Sequence, residues 1–427
     1  MLASTDQDND TTSPEKTNEI HFVNQGTFGC VYKPHIKCKN NTPISSTNKN
    51  NYISKIVKYD HYVKQEEKIG KQIISIKHYY EYFAPVIETC EVNIGILQNE
   101  QLEKCKLFKK NIQNSTTNTP LFISNKIKYV GKKTLGKYFV SLMKTPKKLL
   151  KKIPETHTHL LKGLTMLNSL SIVHYDLKEN NILHNDETGT PIIIDFGLSF
   201  DTKELTENNY KKFFYVYYSN YPAWCIEIIL ISYIVNVKKI NEWTKRVEEQ
   251  DVLELKKVCD EFLKNYLFKE GFDEEALTLF KKELHEYVSI FKEKTWKNTM
   301  DILSATNQSW DNYSVSVIYF FILMDIFYHG KTKVENDWIS DYVNILKKII
   351  LSPPDKRPPS EETLKMICQT KKHISKNDHE KIMYETHNVF KEEHESKKRR
   401  MYYRTMKQLE EDEIVKNKSL GMSSDIQ

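Results

Sequence analysis

The stretch IVHYDLKENNIL, residues Ile172–Leu183, decides the interpretation of this chain because four polar groups stand at fixed places among apolar residues. They are His174, Asp176, Lys178 and Asn181. A carboxylate, an ammonium group and an amide in this pattern can accept a hydroxyl proton, neutralise a phosphoryl group and ligate a metal ion, respectively. His174 is expected to brace the loop, since Asp176 already supplies a base. The stretch therefore predicts phosphate chemistry.

A glycine loop stands earlier in the chain, in NQGTFGCV over residues 24–31. Gly26, Gly29 and Val31 match the last three fixed positions of the pattern GxGxxGxV, and Asn24 replaces its first glycine. Glycine lets the backbone approach phosphate oxygens because no side chain intervenes. Alone, the loop is equally compatible with an ordinary hairpin turn, so its interpretation depends on other residues.

A lysine on a strand and two later acids support the phosphate interpretation. Lys55 lies among apolar residues in YISKIV, where an ammonium group needs an anionic partner, either nucleotide phosphates or a carboxylate of the following helix. Glu66 is preferred over Glu67 for that carboxylate, since Ile69 then lies one turn further along the same helix face. Asp195 ends the short apolar strand in PIIIDFG and is expected to bind Mg²⁺ that bridges the phosphates.

A glycine loop, a strand lysine, HxDLKxxN and DFG, in this order, resemble the eukaryotic-type protein kinase family. The resemblance implies an α+β, bilobal, protein-kinase-like fold with a small sheet-rich N-lobe containing one main helix and a larger helical C-lobe. It implies transfer of the γ-phosphate of ATP, with Mg²⁺, to protein substrates. Asp176 and Lys178 would be catalytic, and Asn181 and Asp195 would bind the metal. Lys178, placed just after the catalytic aspartate, indicates serine or threonine as the acceptor.

The resemblance extends beyond these motifs, over roughly Ile20–Lys371. YPAWCIE places Glu227 on the acid of the family's APE motif, and PPDKRP offers Arg357 as its ion-pair partner. WDNYSVSV carries Asp311 onto the acid that anchors the catalytic loop. In the family these three residues support the lobe that binds protein substrates, so the resemblance implies such a lobe here.

Position in the family pattern also implies a nucleotide-binding set. Ile127 would be the gatekeeper, and Lys128–Val130 the hinge that hydrogen-bonds adenine. The implied nucleotide-binding residues are Gly26, Gly29, Val31, Lys55, Glu66, Lys128 and Val130. The segments GTFGCVYKP, YVGKKTL and YPAWCIEI resemble the corresponding segments of serine/threonine kinases from large double-stranded DNA viruses.

Several positions depart from the family pattern. Asn24 in place of the first glycine still leaves the two glycines of closest phosphate approach. Tyr175 replaces the arginine that in many kinases binds an activation-loop phosphate, so activity is expected to depend weakly on such phosphorylation. A helical insertion at about 228–305 could bind a partner or elaborate the helical lobe. Either Ser219 or Asn220 falls near the family's threonine that contacts the catalytic aspartate.

Length and pattern suggest the domain organisation. The 427 residues suffice for two lobes with a sizeable core. The expected parts are a disordered tail over 1–18, an N-lobe over 19–130, a C-lobe over 131–370 containing the insertion, and a charged helical or disordered tail over 371–427. Strands are expected at EIHFVNQGTFGCVYKP, YISKIVKY, CEVNIGIL, LFISNKIKYV and PIIIDFG, with a helix over Val63–Tyr82.

Composition argues against several other classes. A formal charge of +6 is modest for this length, so no nucleic-acid partner is required. The longest apolar stretch, Tyr313–Tyr328, falls short of the roughly 20 residues that cross a bilayer, so it is expected to be a buried helix and no membrane partner is expected. Seven scattered cysteines without a CxxC pair predict a reducing compartment without structural zinc. The expected location is cytoplasmic, or the host cytoplasm or virion for a viral protein.

Two other functions share part of this pattern. A pseudokinase keeps the fold as a binding scaffold, but it usually loses the strand lysine, the catalytic aspartate or a metal ligand, all of which are present here. A small-molecule phosphotransferase shares HxD and a distal metal-binding acid. That function would not account for Glu227, Asp311 and Arg357.

Overall fold

Alternating apolar residues and β-branched side chains make the N-terminal part of the chain a sheet. The computed structural model describes residues 19–26, 29–39, 51–108, 121–142, 145–324 and 337–370. Five strands form one antiparallel sheet in the order β1-β2-β3-β6-β5. They are β1 (His21–Gln25), β2 (Gly29–Lys33), β3 (Tyr52–Lys58), β5 (Val86–Glu91) and β6 (Phe122–Lys128).

The chain divides into two compact units that are interleaved in sequence. The first unit comprises the residues up to Asp60 together with Val86–Tyr129. The second comprises His61–Pro85 and the chain from Val130 onward. Besides the five-stranded sheet, the first unit contains a 3₁₀ turn at Ile94–Ile96 and the short helix α2 (Asn99–Glu103).

Segment 92–108 packs on the sheet of the first unit and forms a hydrophobic core with it. The buried members of this core are Cys30, Tyr32, Ile36, Ile56, Val92, Leu97, Cys105, Phe108 and Phe122. Two disulfides join strands of the sheet to segments distant in sequence: Cys30 of β2 pairs with Cys105 after α2, and Cys90 of β5 pairs with Cys38 after β2. The backbone N–H of Lys39 donates to the carbonyl of Glu91 at 2.9 Å, which aligns the second cysteine pair.

These disulfides correct one expectation from the sequence. The scattered spacing of the cysteines predicted a reducing compartment, but the fold brings together cysteines that are 75 and 52 residues apart. Contact in the folded chain, which spacing alone does not reveal, decides which cysteines can pair. The argument for a reducing compartment is therefore wrong, because disulfides persist mainly in oxidising surroundings.

The second unit is mainly helical because its apolar residues recur at helical spacing. Its helices are α1 (His61–Ile74), α3 (Leu135–Leu142), α4 (Pro146–Ser169), α5 (Tyr210–Phe213), α6 (Ile226–Tyr233), α7 (Glu249–Phe262), α8 (Tyr266–Gly271), α9 (Glu274–Ser289), α10 (Trp296–Ala305), α11 (Trp310–Leu323), α12 (Asp337–Ile350) and α13 (Ser360–Thr370). A short π-helix at Ile234–Lys238 follows α6.

Two small sheets of the second unit position its polar loops. Strands β4 (Phe83–Ala84), β8 (Ile182–Asn185) and β9 (Thr190–Ile194) pair in the order β4-β9-β8. Strand β7 (Ile172–Val173) pairs with β10 (Phe200–Asp201). The segment HYDLKENN therefore runs from one sheet to the other, and DFG lies between β9 and β10.

One hydrophobic core fills the second unit and is built around α11. Every residue of α11 except Phe321 is buried, which confirms the buried helix expected for this stretch within the residues described. Buried side chains of the insertion belong to the same core, among them Phe262, Phe268, Phe280 and Leu284. The helical insertion at about 228–305 is thus an elaboration of the helical unit. Whether it also binds a partner stays a prediction.

The predicted α+β class is confirmed, because an antiparallel sheet with a helix precedes a largely helical region, as in a kinase-like bilobal fold. Two local predictions were wrong. The stretch CEVNIGIL leaves the sheet at Glu91, since the Asn93 side chain accepts a hydrogen bond from the Gly95 N–H at 2.9 Å and stabilises a turn. The helix expected to reach Tyr82 ends at Ile74, and His78 has a left-handed φ of 61° that no right-handed helix accommodates.

Some predictions lie beyond what the fold decides. The lobe boundaries at 19–130 and 131–370 stay predictions, and the tails over 1–18 and 371–427 lie outside the described residues. Among the helices described, none is both long and apolar enough to cross a bilayer.

We expect both disulfides to stabilise the first unit, because each closes a long loop of the unfolded chain and removing such a bridge costs about 2–5 kcal/mol. Alkylation of denatured but unreduced protein should label the three remaining cysteines of the seven. Reduction should lower the Tm of the wild type but not that of a variant with alanine at all four bridge positions. Labelling of all seven cysteines would contradict the prediction.

Candidate active site

The polar stretch identified in the sequence forms a tight loop between β7 and β8. Tyr175 has a φ of 71°, in the left-handed region, and the backbone N–H of Asp176 donates to the carbonyl of His174 at 2.9 Å. A 3₁₀ turn follows, in which the N–H of Asn181 donates to the carbonyl of Lys178 at 2.9 Å. This compact backbone path brings the side chains of Lys178 and Asn181 into contact with Asp176, which is the centre of the candidate site.

That centre is the carboxylate of Asp176, which contacts three side chains. Lys178 Nζ lies 3.1 Å from Oδ2, and Asn181 Nδ2 donates to the same oxygen at 3.0 Å and to the Asp176 carbonyl at 2.9 Å. The hydroxyl of Tyr221 donates to Oδ1 at 3.2 Å. A carboxylate has about four lone-pair positions, two on each oxygen. Counting the contacts of the described residues, Oδ1 receives one donor and can accept one further hydrogen bond, whereas both positions on Oδ2 are used.

The carboxylate of Asp311 anchors this loop from α11. Its Oδ2 accepts the backbone N–H of His174 at 2.7 Å, and its Oδ1 accepts that of Tyr175 at 3.0 Å. Asp311 is only 3% exposed, and this burial raises its pKa, while His174 and the two amide donors act in the opposite direction. The expected anchoring role of Asp311 is confirmed.

His174 connects the loop to the segment around DFG. Its Nε2 lies 3.0 Å from the carbonyl of Ile194, so this nitrogen donates, and its ring centroid lies 5.0 Å from that of Phe196. The hydroxyl of Ser199 donates to the His174 carbonyl at 3.2 Å. The side chain is fully buried. His174 therefore braces the loop, as expected.

Asp195 directly follows β9 and has an uncommon backbone conformation. Its φ is 63°, which costs a residue other than glycine of order 1–3 kcal/mol. The paired strand before it and the buried ring of Phe196 after it fix the backbone on both sides. Such strain is typical of functional sites. The assignment of Asp195 as a metal ligand stays a prediction.

The ion pair expected between Glu227 and Arg357 is confirmed. Arg357 Nη1 donates to both carboxylate oxygens of Glu227, at 2.6 and 2.9 Å, and both side chains are fully buried. Further donors and acceptors complete the arrangement. Arg357 Nη2 donates to the carbonyl of Ser352 at 3.2 Å, and the hydroxyl of Thr306 donates to Glu227 at 3.0 Å.

The aromatic side chain of Tyr175 is 1% exposed and occupies a cluster of rings. Its centroid lies 5.6 Å from Phe200, 5.7 Å from Phe214 and 5.0 Å from Trp224. Indole Nε1 of Trp224 also donates to the carbonyl of Tyr175 at 3.0 Å. Aromatic side chains of segment 200–224 therefore pack through Tyr175 against the loop between β7 and β8.

The glycine loop belongs to the first unit, where β1 meets β2. The N–H of Gly26 donates to the carbonyl of Gly29 at 2.9 Å. A Cβ at Gly29 would lie 2.5 Å from the carbonyl oxygen of Ile56, so the neighbouring strand excludes any side chain there. Among the described residues, the atom nearest to a Cβ at Gly26 would be the carbonyl oxygen of Gly29, at 3.9 Å. Packing within the protein thus explains Gly29, whereas none of the described residues crowds Gly26.

The other predicted nucleotide-binding residues are placed as follows. Val31 and Lys55 are cross-strand partners on β2 and β3, and Lys55 is buried. Lys128 ends β6 in an exposed position, and Val130 is half-buried just after it. Their roles stay predictions, as does the partner of Lys55.

The choice between two adjacent glutamates of α1 is supported by burial. Glu66 is 5% exposed and lies on the face that also buries Ile69 and Ile73. Glu67 points away from that face and forms a surface ion pair with Lys71 at 2.8 Å. Glu66 is therefore the one of the two glutamates whose side chain is buried.

Sequence reasoning missed Tyr221. The sequence comparison placed Ser219 or Asn220 near the threonine that contacts the corresponding aspartate in protein kinases, whereas in this structure the hydroxyl of Tyr221 contacts Asp176. A phenol reaches further from the backbone than a threonine hydroxyl, so a neighbouring position can supply the donor. Little in the sequence distinguishes this tyrosine, because the surrounding FFYVYYSNYPAW contains several others.

Comparison with known proteins shows distant homology to a probable protein kinase. Over 217 aligned residues, the chain is 24% identical to the probable serine/threonine-protein kinase fnkB of Dictyostelium discoideum. The match covers 43% of this chain and 38% of the length of that protein. No family model matches the chain.

We expect Arg357→Met to destabilise the protein by about 3–5 kcal/mol, because it leaves the Glu227 carboxylate buried without its cation. The double variant Glu227→Met, Arg357→Met should be much less destabilised, since it removes both charges. Urea unfolding of the wild type, both single variants and the double variant measures this coupling. Additive losses of unfolding free energy would show that the two side chains do not stabilise one another.

Proposed function

We propose that the chain is a protein kinase that transfers the γ-phosphate of ATP to serine or threonine hydroxyls of protein substrates. The observation that carries the proposal is the Asp176 carboxylate, oriented by Lys178, Asn181 and Tyr221 with one acceptor position left on Oδ1. A carboxylate held in this way can receive the proton of an incoming hydroxyl. The distant homology to a probable serine/threonine-protein kinase agrees with this chemistry.

In the proposed reaction, the hydroxyl oxygen of the substrate forms a bond to the γ-phosphorus of ATP. The bond between that phosphorus and the oxygen bridging to the β-phosphate breaks, and ADP leaves with the electron pair. The hydroxyl proton passes to Oδ1 of Asp176. Lys178, whose ammonium group lies 3.1 Å from Oδ2, would neutralise negative charge on the transferring group.

The residues present fit the Mg²⁺ that such a reaction uses. The amide N–H₂ group of Asn181 donates both of its hydrogen bonds to Asp176, so the amide oxygen is the atom of Asn181 suited to a cation. Asp195 would supply a carboxylate oxygen. Mg²⁺ prefers oxygen ligands and is usually held by one or two protein groups together with substrate phosphates. Gly26, Gly29 and Lys55 of the first unit stay the residues proposed from the sequence to bind nucleotide phosphates.

Protein substrates are favoured over small molecules by the buried Glu227–Arg357 pair, which in the family supports the substrate-binding lobe. That the chain is related to kinases of large double-stranded DNA viruses stays a proposal, which rests on short sequence segments. If the chain is viral, we favour the virion over the host cytoplasm, since two disulfides suit an oxidising setting.

We further propose that activity does not require phosphorylation of the segment between DFG and Glu227. Besides the rings around Tyr175, three contacts tie this segment to α1. Gln72 Nε2 donates to Asp201 at 3.2 Å, Lys68 forms an ion pair with Glu204, and the rings of Tyr62 and Tyr215 are 6.2 Å apart.

Transfer of labelled γ-phosphate with Mg²⁺, onto a generic basic protein and onto the chain itself, tests the main proposal. Wild type should label serine or threonine, whereas Asp176→Asn and Asp195→Asn should reduce turnover at least about 100-fold without loss of folding, since each loses an essential charge at nearly constant volume. Asp186→Asn, a surface carboxylate 67% exposed, is the matched control and should stay active. Nucleotide binding without any transfer would instead favour a pseudokinase scaffold.

Phosphatase treatment tests the second proposal. Protein that mass spectrometry shows to be free of phosphate should keep its activity within about twofold, because ring packing already holds the segment. Tyr175→Phe should retain activity, whereas Tyr175→Arg should lower the Tm, since it buries a guanidinium among aromatic rings. A tenfold or greater loss of activity after dephosphorylation would overturn this proposal.

A further inference from the structure

We propose that Tyr221 is a positioning residue that orients the catalytic base, a role that rests on the proposed kinase function. The phenolic hydroxyl donates to Oδ1 of Asp176, while Lys178 and Asn181 occupy Oδ2. The two oxygens of the carboxylate are thereby made different. Tyr221 fixes Oδ1 as the atom that accepts the substrate proton, and it sets the direction of the lone pair that remains there.

Packing holds the Tyr221 side chain in a fixed position beside the loop that contains Asp176. Its side chain is 7% exposed, and its ring meets that of Trp224 edge to face with centroids 5.0 Å apart. Trp224 in turn donates from Nε1 to the carbonyl of Tyr175, the residue directly before Asp176. The contacts therefore form a closed path from the loop through Trp224 to Tyr221 and back to Asp176. A donor built into such a path needs no reorganisation when substrate binds.

A hydroxyl near a catalytic base could instead block it, as an internal competitor of the substrate. Two observations favour positioning. Oδ1 has a second lone-pair position, so one donor does not fill it. The ring of Tyr221 is buried against Trp224, so the side chain is held in place rather than poised to leave. The two roles predict opposite effects of removing the hydroxyl.

The variant Tyr221→Phe removes the hydroxyl and keeps the ring. We expect kcat to fall about 10- to 100-fold, because the carboxylate loses a charge-assisted hydrogen bond and its fixed orientation. KM for ATP and for a serine peptide should stay within about twofold. Each protein is assayed well below its own Tm, so that unfolding does not reduce the concentration of active enzyme and thereby lower the apparent kcat. Tyr217→Phe is the matched control, since this phenol in the same segment packs on Tyr233.

The possible outcomes separate this proposal from the one on which it rests. Wild type without any phosphate transfer overturns both. An active wild type with an unchanged kcat for Tyr221→Phe overturns positioning alone, and so does an equal loss in Tyr217→Phe. A higher kcat in Tyr221→Phe would show that the hydroxyl blocks the base. A rise confined to KM for the peptide would show that Tyr221 binds substrate and does not orient Asp176.

Discussion

The burial of one carboxylate, that of Asp311, is the constraint on which the candidate site depends. An isolated acid inside a protein is unfavourable unless donors surround it, and here the donors are two consecutive backbone amides of the loop between β7 and β8. Satisfying Asp311 therefore dictates the path of His174 and Tyr175, including the left-handed φ of Tyr175. The position of Asp176 follows, because it is the next residue along that path.

Side chains from distant parts of the second unit meet at Asp176. Lys178 and Asn181 are local, whereas Tyr221 comes from a segment 45 residues later and is held by Trp224. The rings around Tyr175 join that later segment to the same loop. The orientation of the Asp176 carboxylate is thus a property of the whole aromatic cluster.

Much of the site could be predicted because its chemistry lies in short stretches. Asp176, Lys178 and Asn181 are close in sequence, so a single loop brings them together, and strand and helix periodicity placed Lys55 and Glu66 on buried faces. Tyr221 and the disulfides could not be predicted in the same way. They depend on which distant segments come into contact, and periodicity carries no information about that. The predicted helix after β3 was too long, because the helical spacing of apolar residues continues beyond Ile74, where the helix ends and the backbone turns.

The interleaving of the two units has a consequence for synthesis on the ribosome. Domains tend to fold as they emerge, and the first unit is complete once Tyr129 is available. Strand β4 has emerged by then, but its partner β9 is more than 100 residues away in the sequence. The segment His61–Pro85 must therefore wait, tethered at both ends to a finished unit, until the rest of its own unit is made. A fragment cut after Tyr129 would expose the apolar face of α1, so neither unit can be isolated by a single truncation.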